Sequence, residues 1–241
     1  MITKRAIVLL TSTINPNSMI NLKRSDTNMR LIDYKTSLES WIEDPNVHQI
    51  IYCDNSNYSL SEFVQLDKSN KVEFLSFDGN KNKMKGKGFG ELEILDYVIR
   101  NSKVLLESDI IIKVTGRLYV RNIDHMLTRL DLIKSFDVIC DLRSDLTWAD
   151  TRLFICNKNF IREFLLFFKE KIDEKEGHTF EHIFASATHR AISYGKKWHF
   201  LTFSPIFEGF SATSNTKYPS TKLAYLKREI FRRIKEFIFA S

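Results

Sequence analysis

The sequence predicts an α/β fold, a mostly parallel sheet with helices on its faces, and three observations carry that expectation. Two runs, 6–10 and 109–114, are dominated by Ile, Val and Leu, the composition of strands buried on both faces. Over 28–43 the apolar residues Leu31, Tyr34, Leu38 and Trp41 recur at helical spacing. Strand-like and helix-like stretches then alternate through the first half of the chain, which requires crossover connections and therefore parallel pairing.

Taken in order, the run 6–10 gives way to Thr11, Ser12 and Thr13 and then to Asn15 and Pro16, as a core strand does on entering a loop. The helix over 28–43 stops short of Pro45, whose ring disfavours a helical predecessor. A second strand over 48–53 meets the polar stretch 54–57, and a third, 72–75, is short. Residues 78–87 are polar and lysine-rich and read as irregular; a helix follows over 90–102 with Leu92, Leu95, Val98 and Ile99 on one face. The β-branched run 109–114 reads as a central strand ending in a turn at Thr115, Gly116 and Arg117. Two more strands, 136–140 and 152–156, flank the Asp-bearing loop 141–145. Helices are expected over 159–175 and 179–194, and a last strand over 198–203. The polar stretch 211–220 reads as a connector, so residues 1–210 form one domain and 211–241 the connector with a C-terminal helix.

At 241 residues and 43% hydrophobic content the chain can bury a full core. Its 36 Lys and Arg against 30 Asp and Glu leave a net charge of +6, an excess suited to nucleotides, anionic lipid or nucleic acid. Cys53, Cys140 and Cys156 each end an apolar run, and their odd number and wide spacing fit reduced core thiols, not a disulfide framework or a zinc site. No stretch approaches the roughly 18 apolar residues of a membrane span, and the apolar run 6–10 is too short for a signal-peptide core. The expected location is the cytoplasm, including the cytosolic face of a membrane.

Lys85, Gly86, Lys87, Gly88, Gly90 and Glu91 form the densest chemical signal. Glycines at alternate positions let backbone approach a ligand, while the lysines supply charge for a phosphate beside a helix N-terminus whose dipole favours an anion. The pattern is neither the Gly-Lys-Ser/Thr phosphate loop nor the dinucleotide fingerprint, and a solvated lysine-rich loop has the same composition. Glu91 lies in the first turn of the helix, where it either satisfies the dipole or holds a sugar hydroxyl. Lys113 ends an apolar strand and must reach solvent or a partner, since an unpaired buried ammonium is prohibitive. With Arg117 it falls at the carboxyl end of that strand, where ligands bind in open α/β sheets, and a binding role is favoured over a structural ion pair. Asp141, Arg143 and Asp145 offer two carboxylates four residues apart, suited to a metal, an acceptor or ordinary loop capping. Glu181 and His182 follow Thr179 at a helix start: a general base beside a helper imidazole, or a capped first turn with a surface histidine.

In the last helix Leu223, Leu226, Ile230, Ile234, Phe237 and Ile238 share one face, while Lys222, Lys227, Arg228, Arg232, Arg233 and Lys235 oppose only Glu229 and Glu236. A basic amphipathic helix over 222–238 suits an anionic membrane surface; packing on the domain with an outward basic face is the alternative. The same stripe would take a partner or a second copy of the chain in a homo-oligomer.

The order of these pieces resembles the GT-A-type, nucleotide-sugar-dependent glycosyltransferases of bacterial surface-polysaccharide synthesis, capsule or lipopolysaccharide O-antigen, over most of residues 4–210. The similarity rests on the opening strand, the strand end at Asp54, the segment 85–91, the strand and turn 110–117, and Glu181 with His182. It implies a GT-A-like (Rossmann-like) catalytic domain taking a nucleotide-sugar donor and a glycan or lipid-linked oligosaccharide acceptor. By that resemblance Lys113, Thr115, Gly116 and Arg117, with Lys85, Gly86, Lys87 and Gly88, hold the donor diphosphate. Thr11, Ser12 and Asp54 sit where base and ribose are expected, Glu91 meets a hydroxyl, and Glu181 deprotonates the acceptor, with His182 replacing the family's second acid.

Such enzymes usually carry an Asp-X-Asp metal motif after the central strand, and here that stretch is Lys113, Val114, Thr115, Gly116 and Arg117. The first expectation is therefore that no metal is required, cations neutralising the departing phosphate. Asp141 and Asp145 are the fallback ligands for Mn²⁺ or Mg²⁺. The implied location is peripheral, on the cytosolic face of the inner membrane. The competing reading is a non-catalytic nucleic-acid or phospholigand-binding module, from the positive charge and abundant aromatics. Most of the 19 phenylalanines fall on apolar helix faces or in strands, where core packing explains them, so nucleic acid is not expected as a partner.

Overall fold

Strand β1 (Ile7–Ser12) is buried along its whole length because both faces carry apolar side chains, Ile7 and Leu9 on one and Val8 and Leu10 on the other. The computed structural model, which describes residues 6–17, 19, 22–219 and 222–240, sets β1 within a seven-stranded sheet. β2 (Ile50–Asp54) and then β3 (Val72–Ser76) lie on one side of β1 and β4 (Ile110–Thr115) on the other, all four parallel. β5 (Tyr119–Val120) leaves the sheet to pair with a strand near the C-terminus. β6 (Val138–Ile139), β7 (Leu153–Asn157) and β8 (Trp198–His199) complete the order β3-β2-β1-β4-β7-β6-β8, and β9 (Phe207–Glu208) is the partner of β5.

Helices cover both faces. α1 (Thr27–Glu43) is capped by Asp26, whose carboxylate accepts from the Met29 N–H at 2.8 Å. It packs Tyr34, Leu38 and Trp41 on one face, together with Phe63 of the single turn α2 (Ser61–Val64). α3 (Lys87–Asn101) covers the other face through Leu92, Leu95 and Val98. α4 (Ile123–Leu130) joins α1, and α5 (Phe180–Ser193) joins α3 through Phe180 and Phe184. The result is the expected α/β architecture, a mostly parallel sheet between helical layers.

Four details differ from the expectation. β7 runs antiparallel to β4 and β6, a direction that apolar patterning does not encode. The stretch 159–175 is not one α-helix but a π-helical Phe160–Leu165 followed by a 3-10 Leu166–Lys171; the wider turn keeps Phe160, Ile161, Phe164 and Leu165 all buried. The last strand shortens to Trp198–His199. Finally, α3 begins at Lys87 because Gly86, at φ +96°, turns the chain into it, so Gly88 and Gly90 lie inside the helix. The three cysteines are free and buried, and burial pushes the Cys140 thiol up to about 12.

The C-terminal helix α6 (Lys222–Ala240) docks by its polar side. Glu229 accepts from the Ser204 N–H at 2.9 Å, Arg232 donates to the Leu201 carbonyl at 3.2 Å, and Lys235 donates to Asp141 Oδ1 at 3.0 Å. The apolar stripe faces outward: Leu223, Leu226, Ile230, Ile234 and Phe237 are each 50% to 80% exposed. The side chains of Lys222, Glu236 and Ile238 lie outside the described residues. Among the described residues, no helix is long and apolar enough to cross a membrane.

Candidate active site

The carboxyl ends of β1 and β4 meet in a tight turn. The Gly116 N–H donates to the Thr11 carbonyl at 2.9 Å, and a Cβ at Gly116 would stand 2.6 Å from that oxygen, so glycine alone lets the β4 turn close on β1. Beyond this junction opens a cleft of about 170 Å³. Thr11, Ser12 and Thr115 line it from the strand ends, Lys87 and Glu91 from α3, and Glu181 from α5. This is the location where open α/β sheets take ligands.

Three cations line the cleft without a carboxylate partner among the described residues: Arg30 of α1, Lys87 and Arg117. Arg30 is only 3% exposed and is held by carbonyls, donating from Nε to Thr13 at 2.8 Å and from Nη1 to Arg24 at 3.1 Å. Burial lowers its guanidinium below the usual range, and the nearby charge of Arg117 acts the same way. Arg117 donates to the Phe210 carbonyl at 3.0 Å, and Lys87 to Thr213 Oγ1 at 2.8 Å. These bonds fix the cations, and the carboxylates that act on two of them, Asp33 and Asp54 on Arg30 and Glu174 on Lys87, do so without a direct ion pair among the described residues. Burying the Arg30 guanidinium against neutral oxygens is costly, so an anion in this space would offset that penalty and would meet the partly exposed Lys87 and Arg117 as well.

Two ion pairs flank the three cations. Arg152 donates to Asp150, Nε to Oδ1 at 2.9 Å, and both line the cleft. Lys113 is fully buried, ion-paired with Glu91 and donating to the Thr151 carbonyl at 2.7 Å, with the rings of Phe154 and Phe180 at 5.5 and 5.9 Å. The expectation that Lys113 holds a phosphate is thus corrected. Its side chain shares the face of β4 with Ile111, under α3 and α5, and its charge is met by Glu91, which also accepts from Thr11 Oγ1 at 3.1 Å.

Glu181 is the cleft's uncommitted acid. Its backbone carbonyl accepts from the Ala149 N–H at 3.2 Å, but its carboxylate has no hydrogen bond or ion pair among the described residues. His182 does not accompany it: successive helical residues point about 100° apart, and its Nδ1 lies 3.1 Å from Thr179 Oγ1, outside the cleft lining.

Other expected site residues serve the scaffold. Asp54, 0% exposed, accepts from Ser12 Oγ at 3.0 Å, the Ile14 N–H at 2.9 Å and the Ser56 N–H at 2.8 Å, organising the loops after β1 and β2. Lys85 pairs with Glu170 at 2.9 Å and lies over the Phe89 ring. The anion site expected at the start of α3 is filled from within: Glu174 accepts from the Gly88 N–H at 2.9 Å and packs against Gly86, where a Cβ would be 2.4 Å from its carboxyl carbon. Burial raises the Glu174 carboxyl above its usual range. Arg143 and Asp145 bond each other on an exposed turn, and Asp141 holds Lys235 of α6, so the three do not converge as acceptor or metal ligands.

The residues present also do not form an oxygen set for Mn²⁺ or Mg²⁺. Among the described residues no three His, Cys, Asp or Glu side chains are placed to hold a metal, and of the cleft's acids Glu91 and Asp150 are already tied to cations.

Sequence reasoning missed Arg30, Tyr34, Trp148, Arg152 and Tyr218 as cleft residues. One signal was available: Arg30 stands four residues before Tyr34, on the buried stripe of its helix. The expected connector also contributes. Ser211, Ala212 and Thr213 line the cleft, and the Ala212 carbonyl accepts from the Lys23 and Arg24 N–H groups at 3.1 Å.

No family model matches the sequence, and no curated protein matches it. Solved structures do resemble the fold at low identity. An inositol-1-phosphate CTP transferase from T. maritima shares 14% identity over 96% of this chain and 95% of its own, with a TM-score of 0.49. A cytidylyltransferase from Leptospira borgpetersenii shares 11% over 81% and 75%, at 0.48. S. aureus TarS 1-349 in complex with UDP-GlcNAc shares 10% over 96% and 66%, also at 0.48.

Proposed function

We propose that the chain is a GT-A-like glycosyltransferase that moves a sugar from a nucleotide-sugar donor to a lipid-linked glycan acceptor in bacterial surface-polysaccharide synthesis. One observation carries the reading: Arg30, Lys87 and Arg117, without ion-paired carboxylates among the described residues, share a cleft with the carboxylate of Glu181, which has no bonding partner among them either. The cations suit a diphosphate, and their charge-assisted hydrogen bonds strengthen as negative charge develops on the leaving group. The acceptor hydroxyl attacks the anomeric carbon, the sugar–phosphate C–O bond breaks with its electron pair going to the diphosphate, and the hydroxyl proton passes to Glu181. The outward stripe of α6, with the exposed Lys227 and Arg233 beside it, would rest on an anionic membrane and keep enzyme and acceptor in one plane.

The test is a product assay with nucleotide sugars and an extracted glycolipid pool. Sugar on the acceptor together with a released nucleoside diphosphate supports the proposal. Pyrophosphate released from a nucleoside triphosphate and a sugar phosphate would make the chain a nucleotidyltransferase instead. Salt-sensitive oligonucleotide binding without turnover would favour the non-catalytic module.

A further inference from the structure

A second cavity, of about 460 Å³, lies between α6 and the segment that follows β8. Five cations line it, Arg152, Lys227, Arg228, Arg232 and Lys235, against the two acids Asp141 and Asp150. Three of the cations are committed: Arg152 to Asp150, Arg232 to Glu229, and Lys235 to Asp141. Arg228 is different. Its Nε and Nη2 are buried without a hydrogen-bond partner among the described residues, and burial together with the charge of Arg152 lowers its guanidinium. A buried fork of donors with nothing to donate to is a cost that a fold retains for a ligand, and a guanidinium fork matches phosphate oxygens.

Apart from Ser204, the remaining lining is apolar. Phe203 and Phe207 contribute from the domain and Phe231 from α6, the last of these 69% exposed. The Asp150–Arg152 pair lines this cavity and the cleft alike, so the two adjoin. We propose that the cavity binds the phosphate or diphosphate of a single-chain apolar phosphoester, Arg228 taking the phosphate and the phenylalanines the start of the chain. Resting on the transferase reading above, this ligand is the carrier end of the acceptor, with its glycan directed past Asp150 and Arg152 toward Glu181.

The experiment is a calorimetric titration of the full chain, without nucleotide, using farnesyl diphosphate, farnesol, inorganic phosphate and dioctanoyl phosphatidic acid below their aggregation limits. Farnesyl diphosphate is expected to bind at least tenfold more tightly than any of the other three. Arg228→Met should weaken it at least tenfold, and Arg228→Lys less. Because the unpaired charge is a burden to the empty protein, Arg228→Met should melt no lower than wild type, which separates lost binding from lost folding. Unchanged affinity in Arg228→Met, equal binding of farnesol or inorganic phosphate, or no binding at all would overturn the site. Equal binding of phosphatidic acid would make it a lipid-headgroup site and overturn the acceptor assignment. Since no donor is present, expected binding beside a failed sugar-transfer assay would sink the transferase reading and leave the site standing.

Discussion

Lys113 on β4 and Glu91 on α3 form a buried ion pair behind the cleft, and Thr11 of β1 donates to the same Glu91 oxygen. Three elements are thereby joined at the point where the ligand space begins. Removing one partner leaves a charge with no counter-charge, which costs about 3–5 kcal/mol in buried pairs. Lys113→Met is expected to cost about 3 kcal/mol in urea unfolding, near the lower end because Glu91 reaches the cleft. Lys113→Met with Glu91→Gln should recover most of that loss; a single-variant cost under about 1 kcal/mol would refute the structural role.

Arg117→Ala and Lys87→Ala should each fold normally, since both side chains are partly exposed and form single hydrogen bonds to neutral oxygens. Each should weaken nucleoside diphosphate binding by roughly 10-fold or more, the scale of one charge-assisted hydrogen bond. Calorimetric titration of the variants decides the matter.

Glu181→Gln removes the proposed base and keeps its shape. Turnover should fall by about 10²–10⁴ while donor affinity stays within about twofold. Normal turnover would place the base elsewhere.

The docking of α6 should be acid-sensitive. Burial alone would raise Glu229, but hydrogen bonds from Arg232, the Ser204 N–H and Arg233 outweigh it and hold the carboxyl down to about 2, from an ordinary 4.5. A depressed folded-state value stabilises above the unfolded one and is lost as pH falls through the folded one. Wild type should therefore exceed Glu229→Gln by at most about 3 kcal/mol near neutrality, a gap that narrows below about pH 4.5 and closes near pH 2. A gap independent of pH would contradict the assignment.

The outward stripe of α6 has its own test. Leu226→Ser with Ile230→Ser changes two side chains already 54% and 58% exposed, so the fold should be unaffected. Co-sedimentation with anionic vesicles should drop by at least tenfold; equal sedimentation would remove the membrane from the account.

Much of this architecture was legible in the sequence for a definite reason. β1 and β4 are continuous apolar runs because both their faces are covered, and burial on two faces leaves a strong signature. Strand direction leaves none, so the reversal at β7 was invisible, and two-residue strands such as β5 and β9 are too short for any period. At the site, Thr11, Ser12, Lys87, Glu91, Thr115, Arg117 and Glu181 do line one cleft. Lys113 was misread because its neutralising partner comes from a different element, and local sequence shows only a lysine that needs some partner. The α3 anion site was misread similarly: Glu174, which occupies it, lies 86 positions along the chain from Gly88.

The central claim is that the cleft holds a nucleoside diphosphate on Arg30, Lys87 and Arg117, and the most direct measurement is thermal unfolding with UDP, GDP, CDP and CMP in EDTA, for wild type and Arg117→Ala. Ligand that binds only the native state raises the midpoint by RT ln(1 + [L]/Kd) in stability. The expected result is a rise with one diphosphate in wild type that is largely lost in Arg117→Ala. No rise with any nucleotide at large excess, with or without added Mn²⁺, or an equal rise in both proteins, would contradict the claim.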